Sequence, residues 1–201
     1  LEAAFRAEHA VSDPGLTLTV RSGNPAPSAL TEAAGKTVVQ FLQLVPNGIV
    51  SMSMDIPGLV QTSSNLGIFH VADGLLVARA SVRSSVASEK EMLLERFATL
   101  CALLGASMEI TGNYPAWEYK RDSALRDTMV RVFTEQYGHA PKIEAIHAGL
   151  ECGLFSGKLP GLDCVSIGPN LLDIHTPRER MEIASVQRVW RFVLEVLKRS
   201  K

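Results

Sequence analysis

The stretch L-V-Q-T-S-S-N-L-G-I-F-H-V-A-D-G-L-L-V-A-R-A-S-V-R, residues 59–83, decides the fold of the first half of the chain. It contains two long runs rich in apolar residues, and Asp73-Gly74 separates them. This dipeptide favours the tight two-residue turn of a β-hairpin, because both residues tolerate a positive φ. We therefore predict a strand over Leu59–Val71, a turn, and a returning strand over Leu75–Arg83.

Two further strands and a helix are predicted upstream of this hairpin. Leu16–Val20 alternates apolar and polar residues, the pattern of a half-buried strand, and Ile49–Met52 is a short apolar run before a turn signal. Between them, Ser28 or Thr31 is expected to cap a helix that runs to about Val45. Its apolar positions recur at helical spacing: Ala34, Val38, Phe41, Leu42 and Val45.

A second helix is predicted directly after the hairpin. Ser88 and Glu91 have the spacing of a capping box, and Gly105 is a helix stop signal. The apolar face between them consists of Met92, Leu93, Phe97, Leu100, Cys101 and Leu104. Met108–Ile110 is then expected to form a last strand. Helices alternating with antiparallel strands predict an α+β two-layer sandwich over residues 1–112.

The second half, residues 113–201, is predicted to be part of an α/β domain. Helices are expected over Ser123–Tyr137 and Ile183–Lys198, and short strands over Lys142–Ile146 and Leu162–Ile167. The predicted inward positions are Leu125, Met129, Val132 and Phe133 on the first helix, and Ile183, Val186, Trp190, Val193, Leu194 and Leu197 on the last. These helices and strands are too few for an independent α/β domain. We therefore expect that the chain is truncated at its N-terminus.

The bulk composition is that of an ordinary globular protein. The 201 residues are 46% hydrophobic and 20% charged, with a formal net charge of -1. The sequence has no basic stripe with interleaved aromatic residues, so it does not predict a nucleic-acid partner. It also has no apolar run long enough to predict a membrane span. The three cysteines show no C-x-x-C spacing, so they are interpreted as reduced thiols of a cytoplasmic protein.

Two of the five histidines stand at places where an α/β sheet collects ligands. His147 follows one predicted strand and His175 precedes the last predicted helix. A lone histidine is more often a structural residue, and none of the five has the H-x-x-x-H or H-x-D spacing of a metal site.

Four other residues are candidates for substrate contacts, each with a plain structural alternative. Arg83 ends a strand, where it could bind a carboxylate or simply lie in solvent, and Asn65 is either a polar substrate contact or a turn residue. Gly149 opens the Gly149–Gly153 segment, which could present backbone N–H groups to a carboxylate at a helix start. Glu151 is equally explained as a first-turn carboxylate that the helix dipole favours.

Four runs together carry a resemblance to a known family: D-I-P-G-L-V-Q-T-S-S-N-L-G (55–67), S-V-R-S-S (81–85), I-H-A-G-L-E-C-G (146–153) and S-I-G-P…H-T-P-R-E-R (166–180). In this order the chain resembles the aminoacyl-histidine dipeptidases, the carnosinase-like Xaa-His branch of the co-catalytic zinc peptidases. The resemblance implies that residues 1–112 are a lid and dimerisation domain. It implies that residues 113–201 are the C-terminal part of a zinc-peptidase catalytic domain.

The resemblance also implies roles for single residues. His175 matches a zinc ligand in an active site that holds two zinc ions. Asn65 and Arg83 match lid residues that contact the substrate, at its oxyanion and its C-terminal carboxylate. Gly149 and Glu151 match a loop that borders the substrate pocket. The family implies a metal-activated water as nucleophile, a small dipeptide as substrate and a homodimer formed through the lid.

Most of the metal site that the family uses has no counterpart in these 201 residues. The sequence contains no H-x-D, no Glu-Glu pair and no G-G-H-S-G. The catalytic general base is therefore expected upstream, and the isolated chain is expected to be inactive. Two alternatives stay open: a non-catalytic dimerisation module, or an amide hydrolase of the same clan that acts on acylated amino acids.

Overall fold

The computed structural model describes residues 1–26, 28–72, 74–145 and 150–200, and divides into two compact units, residues 1–40 and 41–201. The fold is a mixture of helices and antiparallel strands, as predicted. The elements are α1 (Glu2–Glu8), α2 (Glu32–Leu44), β1 (Gly48–Met52), β2 (Val60–Ala72), β3 (Leu75–Ser84), α3 (Ala87–Leu104), α4 (Ala124–Tyr137), α5 (Glu151–Lys158), β4 (Leu171–Leu172), β5 (Arg180–Met181) and α6 (Ile183–Arg199).

The first unit contains α1 and the start of α2. The Thr31 hydroxyl accepts a hydrogen bond from the backbone N–H of Ala34 at 3.2 Å, which confirms Thr31 as a capping residue. The strand predicted at Leu16–Val20 is wrong, because this segment is irregular. Alternation supplies the side-chain pattern of a strand, but a strand also needs a hydrogen-bonding neighbour. Residues 16–20 are paired with no other strand that the structure describes.

The second unit begins with an antiparallel sheet in the order β1–β2–β3. The predicted hairpin is confirmed, since Ala72 pairs with Leu75 and Gly74 has a φ of 75°. Asp73 lies outside the described residues. The strand predicted at Ile49–Met52 is also confirmed as β1, which pairs with β2 through Gly48↔Ser64.

Helix α3 packs on β3, and its Leu93 and Leu100 side chains are buried. Its end at Gly105 is confirmed by a left-handed φ of 67°. The predicted capping box is wrong, because the helix starts one residue before Ser88 and Val86 takes the N-cap position without a side-chain bond. The Glu118 carboxylate, distant in sequence, accepts a hydrogen bond from the N–H of Ala87 at 3.3 Å instead.

Helices α4 and α6 share the main hydrophobic cluster of the described residues. Its buried members are Met129, Val132, Phe192 and Val196, with Leu125, Phe133 and Val165 packed against them. The predicted inward face of α4 is confirmed. The predicted face of α6 is wrong: Ile183, Trp190 and Leu197 are 78%, 63% and 62% exposed. Helix α6 has one broad apolar face, and periodicity alone does not tell which edge of that face meets α4.

Three of the predicted short strands do not form. Met108–Ile110, residues 142–145 and Leu162–Ile167 are irregular, and Ile146 lies outside the described residues. The sheet of the C-terminal region is instead the two-residue pair β4–β5, in which Leu171 pairs with Met181. Strands this short have no alternation to detect, so the sequence did not predict them.

Candidate functional site

The β2–β3 hairpin places the two predicted lid residues on one face of the sheet. Ser63 pairs with Arg83, and Asn65 pairs with Ser81. Because side chains alternate between the faces of a strand, Asn65 and Arg83 project from the same side as diagonal cross-strand neighbours. Asn65 and Arg83 are both exposed. This face is therefore polar, open, and equipped with one amide and one guanidinium.

The backbone beside Asn65 is held by a side chain from outside the strand. A register irregularity lies between Leu66 and Ile68, where the regular ladder is interrupted. The Asn47 side-chain oxygen accepts a hydrogen bond from the N–H of Leu66 at 2.8 Å. The Asn65 amide nitrogen lies beside Gly67, 3.5 Å from the position that a Cβ of that residue would take. The hydrogen bond between Leu66 and Asn47 fixes the backbone next to Asn65.

The opposite face of the hairpin carries a polar network that the sequence reasoning missed, and Gln61 reaches this network from near the beginning of β2. The Glu89 carboxylate on α3 accepts hydrogen bonds from Ser51 Oγ at 2.5 Å, from Gln61 Nε2 at 2.7 Å, and from the hydroxyl of Thr62. Thr62 Oγ1 and Ser84 Oγ are 2.7 Å apart. The carboxylate thus ties α3 to β1 and β2, and through Thr62 to β3, directly behind the Ser63–Arg83 pair.

The charge on Glu89 is stabilised by this network. Hydrogen bonds from Ser51 and then Thr62 lower the pKa of the carboxyl group below its ordinary value, with a further contribution from Gln61, and they outweigh the opposing effect of burial. A signal was available in the sequence. Residues 61–65, Q-T-S-S-N, are five successive polar residues, so one polar set had to face α3.

His175 lies in the turn between β4 and β5. Both His175 and Asp173 have positive φ values, 64° and 54°, which are uncommon for residues other than glycine. Hydrogen bonds stabilise this turn: the N–H of His175 donates to Glu179 Oε2 at 3.1 Å, and the N–H of Thr176 donates to the Asp173 carbonyl at 3.2 Å. Arg180 pairs with the Asp173 carboxylate at 3.2 Å. The result is an exposed imidazole on a constrained backbone.

The described residues do not by themselves build a metal centre. Among them no group of three or more His, Cys, Asp or Glu side chains could hold a metal ion. A zinc site needs three or four protein ligands, so His175 can contribute one imidazole and no more.

Glu151 is the exposed first residue of α5. Gly149 and His147 lie outside the described residues. Helix α5 is packed closely against an irregular segment of the chain. A Cβ at Gly153 would lie 3.1 Å from the Pro115 carbonyl oxygen, and one at Gly157 would lie 2.8 Å from Pro115 Cγ. The small glycines allow this approach, and they fix the start of α5 and with it Glu151.

A second carboxylate missed by sequence reasoning, Asp163, caps helix α4. It accepts hydrogen bonds from Ser123 Oγ at 2.7 Å and from the N–H of Leu125 at 3.0 Å. Burial alone would raise the pKa of this carboxyl group, but the two hydrogen bonds, aided by Lys120 and Arg126, leave it lowered. The contact anchors the segment after α5 to the helical cluster.

Comparison with known proteins identifies the family. Residues 6–199 match Peptidase family M20/M25/M40, and the chain belongs to this family. The chain is 33% identical over 191 residues to the cytosol non-specific dipeptidase of Escherichia coli strain K12. The aligned region covers 95% of this chain and 39% of that protein. The resemblance to dipeptidases that the four sequence runs carry is confirmed.

Two solved structures resemble the fold. The aminoacylhistidine dipeptidase from Vibrio alginolyticus superimposes with a TM-score of 0.85 at 29% identity, over 98% of this chain and 40% of that one. Aminopeptidase PepT from Bacillus cereus gives a TM-score of 0.63 at 18% identity, over 81% of this chain and 44% of that one, and supports the fold alone. The chain spans about two fifths of the length of the dipeptidases it matches.

Among the described residues, no helix is long and apolar enough to cross a membrane.

Proposed function

We propose that this chain forms the substrate-contacting lid and the C-terminal part of the catalytic domain of a zinc-dependent dipeptidase that acts on Xaa-His dipeptides. The observation that carries the proposal is the common face of β2 and β3, which presents Asn65 and Arg83 in a member of this peptidase family. The boundary between the two parts is proposed near residue 112. The activity is that of a protein that also supplies the remaining length of its relatives.

Arg83 is proposed to bind the C-terminal carboxylate of the dipeptide. A guanidinium presents two parallel N–H donors to a carboxylate, which adds geometric selectivity to the charge attraction. A dipeptide always has its free carboxylate one residue from the scissile bond. An arginine fixed on a strand therefore measures substrate length, and it discriminates against longer peptides and amides.

Asn65 is proposed to stabilise the oxyanion that develops on the scissile carbonyl. A neutral amide donor suits this role when its orientation is fixed in advance, since no reorganisation is then needed during the reaction. The support for a fixed position is the hydrogen bond of Leu66 to Asn47, which holds the backbone next to Asn65.

His175 is proposed to be one ligand of a two-zinc centre, with Gly149 and Glu151 bordering the substrate pocket. When bound, the zinc ions would supply an activated water for attack on the peptide carbonyl. The imidazole would come from a turn whose backbone is already fixed by Glu179 and Thr176. Dimerisation through the lid is part of the proposal. A cytoplasmic location is proposed as well, because the relative at 33% identity is named as a cytosol dipeptidase.

The test of Arg83 uses the protein with its remaining length, a panel of substrates and a charge-conserving variant. Arg83→Lys is expected to lower kcat/KM for an Xaa-His dipeptide by about 10- to 100-fold, because one hydrogen bond to a charged group is lost. The same variant should change the low activity on the C-terminal amide of that dipeptide very little. Steady-state kinetics on both substrates measures the difference.

Three results would contradict the proposal. If Arg83→Lys lowered kcat/KM equally for the dipeptide and for its C-terminal amide, Arg83 would not be the residue that binds the substrate carboxylate. Preference for an N-acylated histidine over every dipeptide would favour the amide hydrolase. No hydrolysis of either class by the longer, metal-loaded protein would favour the dimerisation module.

A further inference from the structure

Two of the three cysteines lie together beside helix α5. Cys152 and Ser156 are separated by four residues on α5 and therefore project from the same face. The Ser156 hydroxyl donates a hydrogen bond to Cys164 Sγ at 3.7 Å. The Cys164 thiol is near enough to Cys152 to contribute to the raised pKa of the Cys152 thiol. The third cysteine, Cys101, belongs to a different helix, α3.

The surroundings of the two thiols are neither a closed core nor open solvent. Cys152 and Cys164 are both free and half-buried. Burial raises the pKa of the Cys152 thiol, and the neighbouring Cys164 and Glu151 act in the same direction. A thiol of this kind reacts slowly with oxidants by itself. Once one of the two cysteines has formed a mixed disulfide, however, the neighbouring sulfur can attack that disulfide quickly.

The two sulfurs are carried by segments that are fixed independently. Cys164 follows Asp163, whose carboxylate is held by Ser123 and Leu125 at the start of α4. Helix α5 is held on another of its faces by the close approach of Gly153 and Gly157 to Pro115. The proximity of the two thiols is therefore built into the packing of α5 and does not depend on a loose loop.

We propose that Cys152 and Cys164 form a dithiol site that closes to a disulfide by exchange with a low-molecular-weight disulfide. The Cys164 thiol loses its proton to solvent, and its sulfur, which accepts the hydrogen bond from the Ser156 hydroxyl, attacks one sulfur of the small disulfide. This attack breaks the S–S bond and releases one small thiolate. The Cys152 sulfur then attacks the mixed disulfide at Cys164, loses its proton to solvent and releases the second small thiolate. The protein loses two hydrogens, and one small disulfide becomes two small thiols.

Closure would join the first turn of α5 to the segment that follows it. Glu151 immediately precedes Cys152, so the bond would fix the backbone at a residue that we place at the border of the substrate pocket. The dithiol site itself does not rest on the proposed function, because it is defined by sulfur geometry and read out by sulfur chemistry.

The experiment is a peptide map of the protein after equilibration with glutathione disulfide and alkylation of the remaining thiols. Trypsin separates the two cysteines, since Cys152 falls in residues 143–158 and Cys164 in residues 159–178. The expected result is a linked pair of these two peptides, which a reductant separates. Ser156→Ala should form the same pair about fivefold more slowly, through loss of one hydrogen bond to the attacking sulfur.

The controls use the third cysteine and each partner in turn. Cys101→Ser should leave the linked pair unchanged. Cys152→Ser should stop at a stable glutathione adduct on Cys164, which shows that Cys164 still reacts when its partner sulfur is removed. Independent glutathione adducts on both cysteines of the unsubstituted protein, without a linked pair, would overturn the proposal. A disulfide that includes Cys101 would overturn it equally.

Discussion

The hairpin region, residues 48–104, and the C-terminal region, residues 142–199, differ in where their elements find partners. In the hairpin region β1, β2, β3 and α3 follow one another along the chain and pack on one another. In the C-terminal region β4 and β5 are two residues long, and α6 leaves much of its apolar surface exposed. Local sequence patterns describe a structure well only where the partners of each element are also local.

The largest expected effect compares two aromatic residues of α6. Phe192 is buried in the cluster with α4, whereas Trp190 is 63% exposed. We expect Phe192→Ala to lower the free energy of unfolding of the 201-residue chain by about 3–5 kcal/mol, because it removes a buried ring and leaves a cavity. Trp190→Ala should cost less than about 1 kcal/mol in the same chain. Denaturant unfolding measures both.

The opposite order of these two variants would contradict the assignment of the buried face of α6. It would show that the edge of the apolar face of α6 that includes Trp190, and not the edge that includes Phe192, packs against α4. Repeating the pair in a longer protein sharpens the comparison, because any partner of the exposed stripe would raise the cost of Trp190→Ala only there.

Much of the hairpin region could be predicted from its sequence, and the reasons are physical. Asp73-Gly74 predicts the turn, and the two apolar runs predict β2 and β3. The role of Glu89 in the polar network could not be predicted, because its partners Ser51 and Thr62 come from two different strands. Only the folded sheet brings their hydroxyl groups to one carboxylate.

The candidate site was predictable in part. The pairing of β2 with β3 follows from the turn, but the common face of Asn65 and Arg83 does not. The register counted from the turn would pair Arg83 with Ser64 and place Asn65 on the other face; the irregularity between Leu66 and Ile68 shifts the register by one residue and brings both side chains to one face. The constrained turn at His175 does not follow from any pattern, since its hydrogen bonds join side chains to nearby backbone without periodicity. His175 was selected through the family resemblance alone.

A smaller effect is expected at the polar network of the hairpin region. Glu89→Gln should lower the free energy of unfolding by about 1–3 kcal/mol near pH 7, because the amide cannot accept all the hydrogen bonds that the carboxylate accepts. Glu91→Gln, at an exposed position of the same helix, is the matched control and should cost less than about 0.5 kcal/mol. Thermal or denaturant unfolding of both variants checks the difference.

The pH dependence of this effect has a definite sign. The pKa of Glu89 is lower in the folded protein than its ordinary value of 4.5, so its contribution is present above pH 4.5 and is lost as the pH falls through the lower folded value. The difference in stability between the unsubstituted protein and Glu89→Gln should therefore shrink below pH 4.5. A difference that grows on acidification would contradict the network as described.

The most direct test of the central claim is the metal content of the longer protein with His175→Asn. Asparagine tolerates the positive φ at this position and does not replace the imidazole as a zinc ligand. His70→Asn, at an exposed position of β2, is the control. We predict that His175→Asn loses bound zinc and dipeptide hydrolysis together, whereas His70→Asn keeps both. A His175→Asn protein that retains its full zinc content and activity would contradict the account.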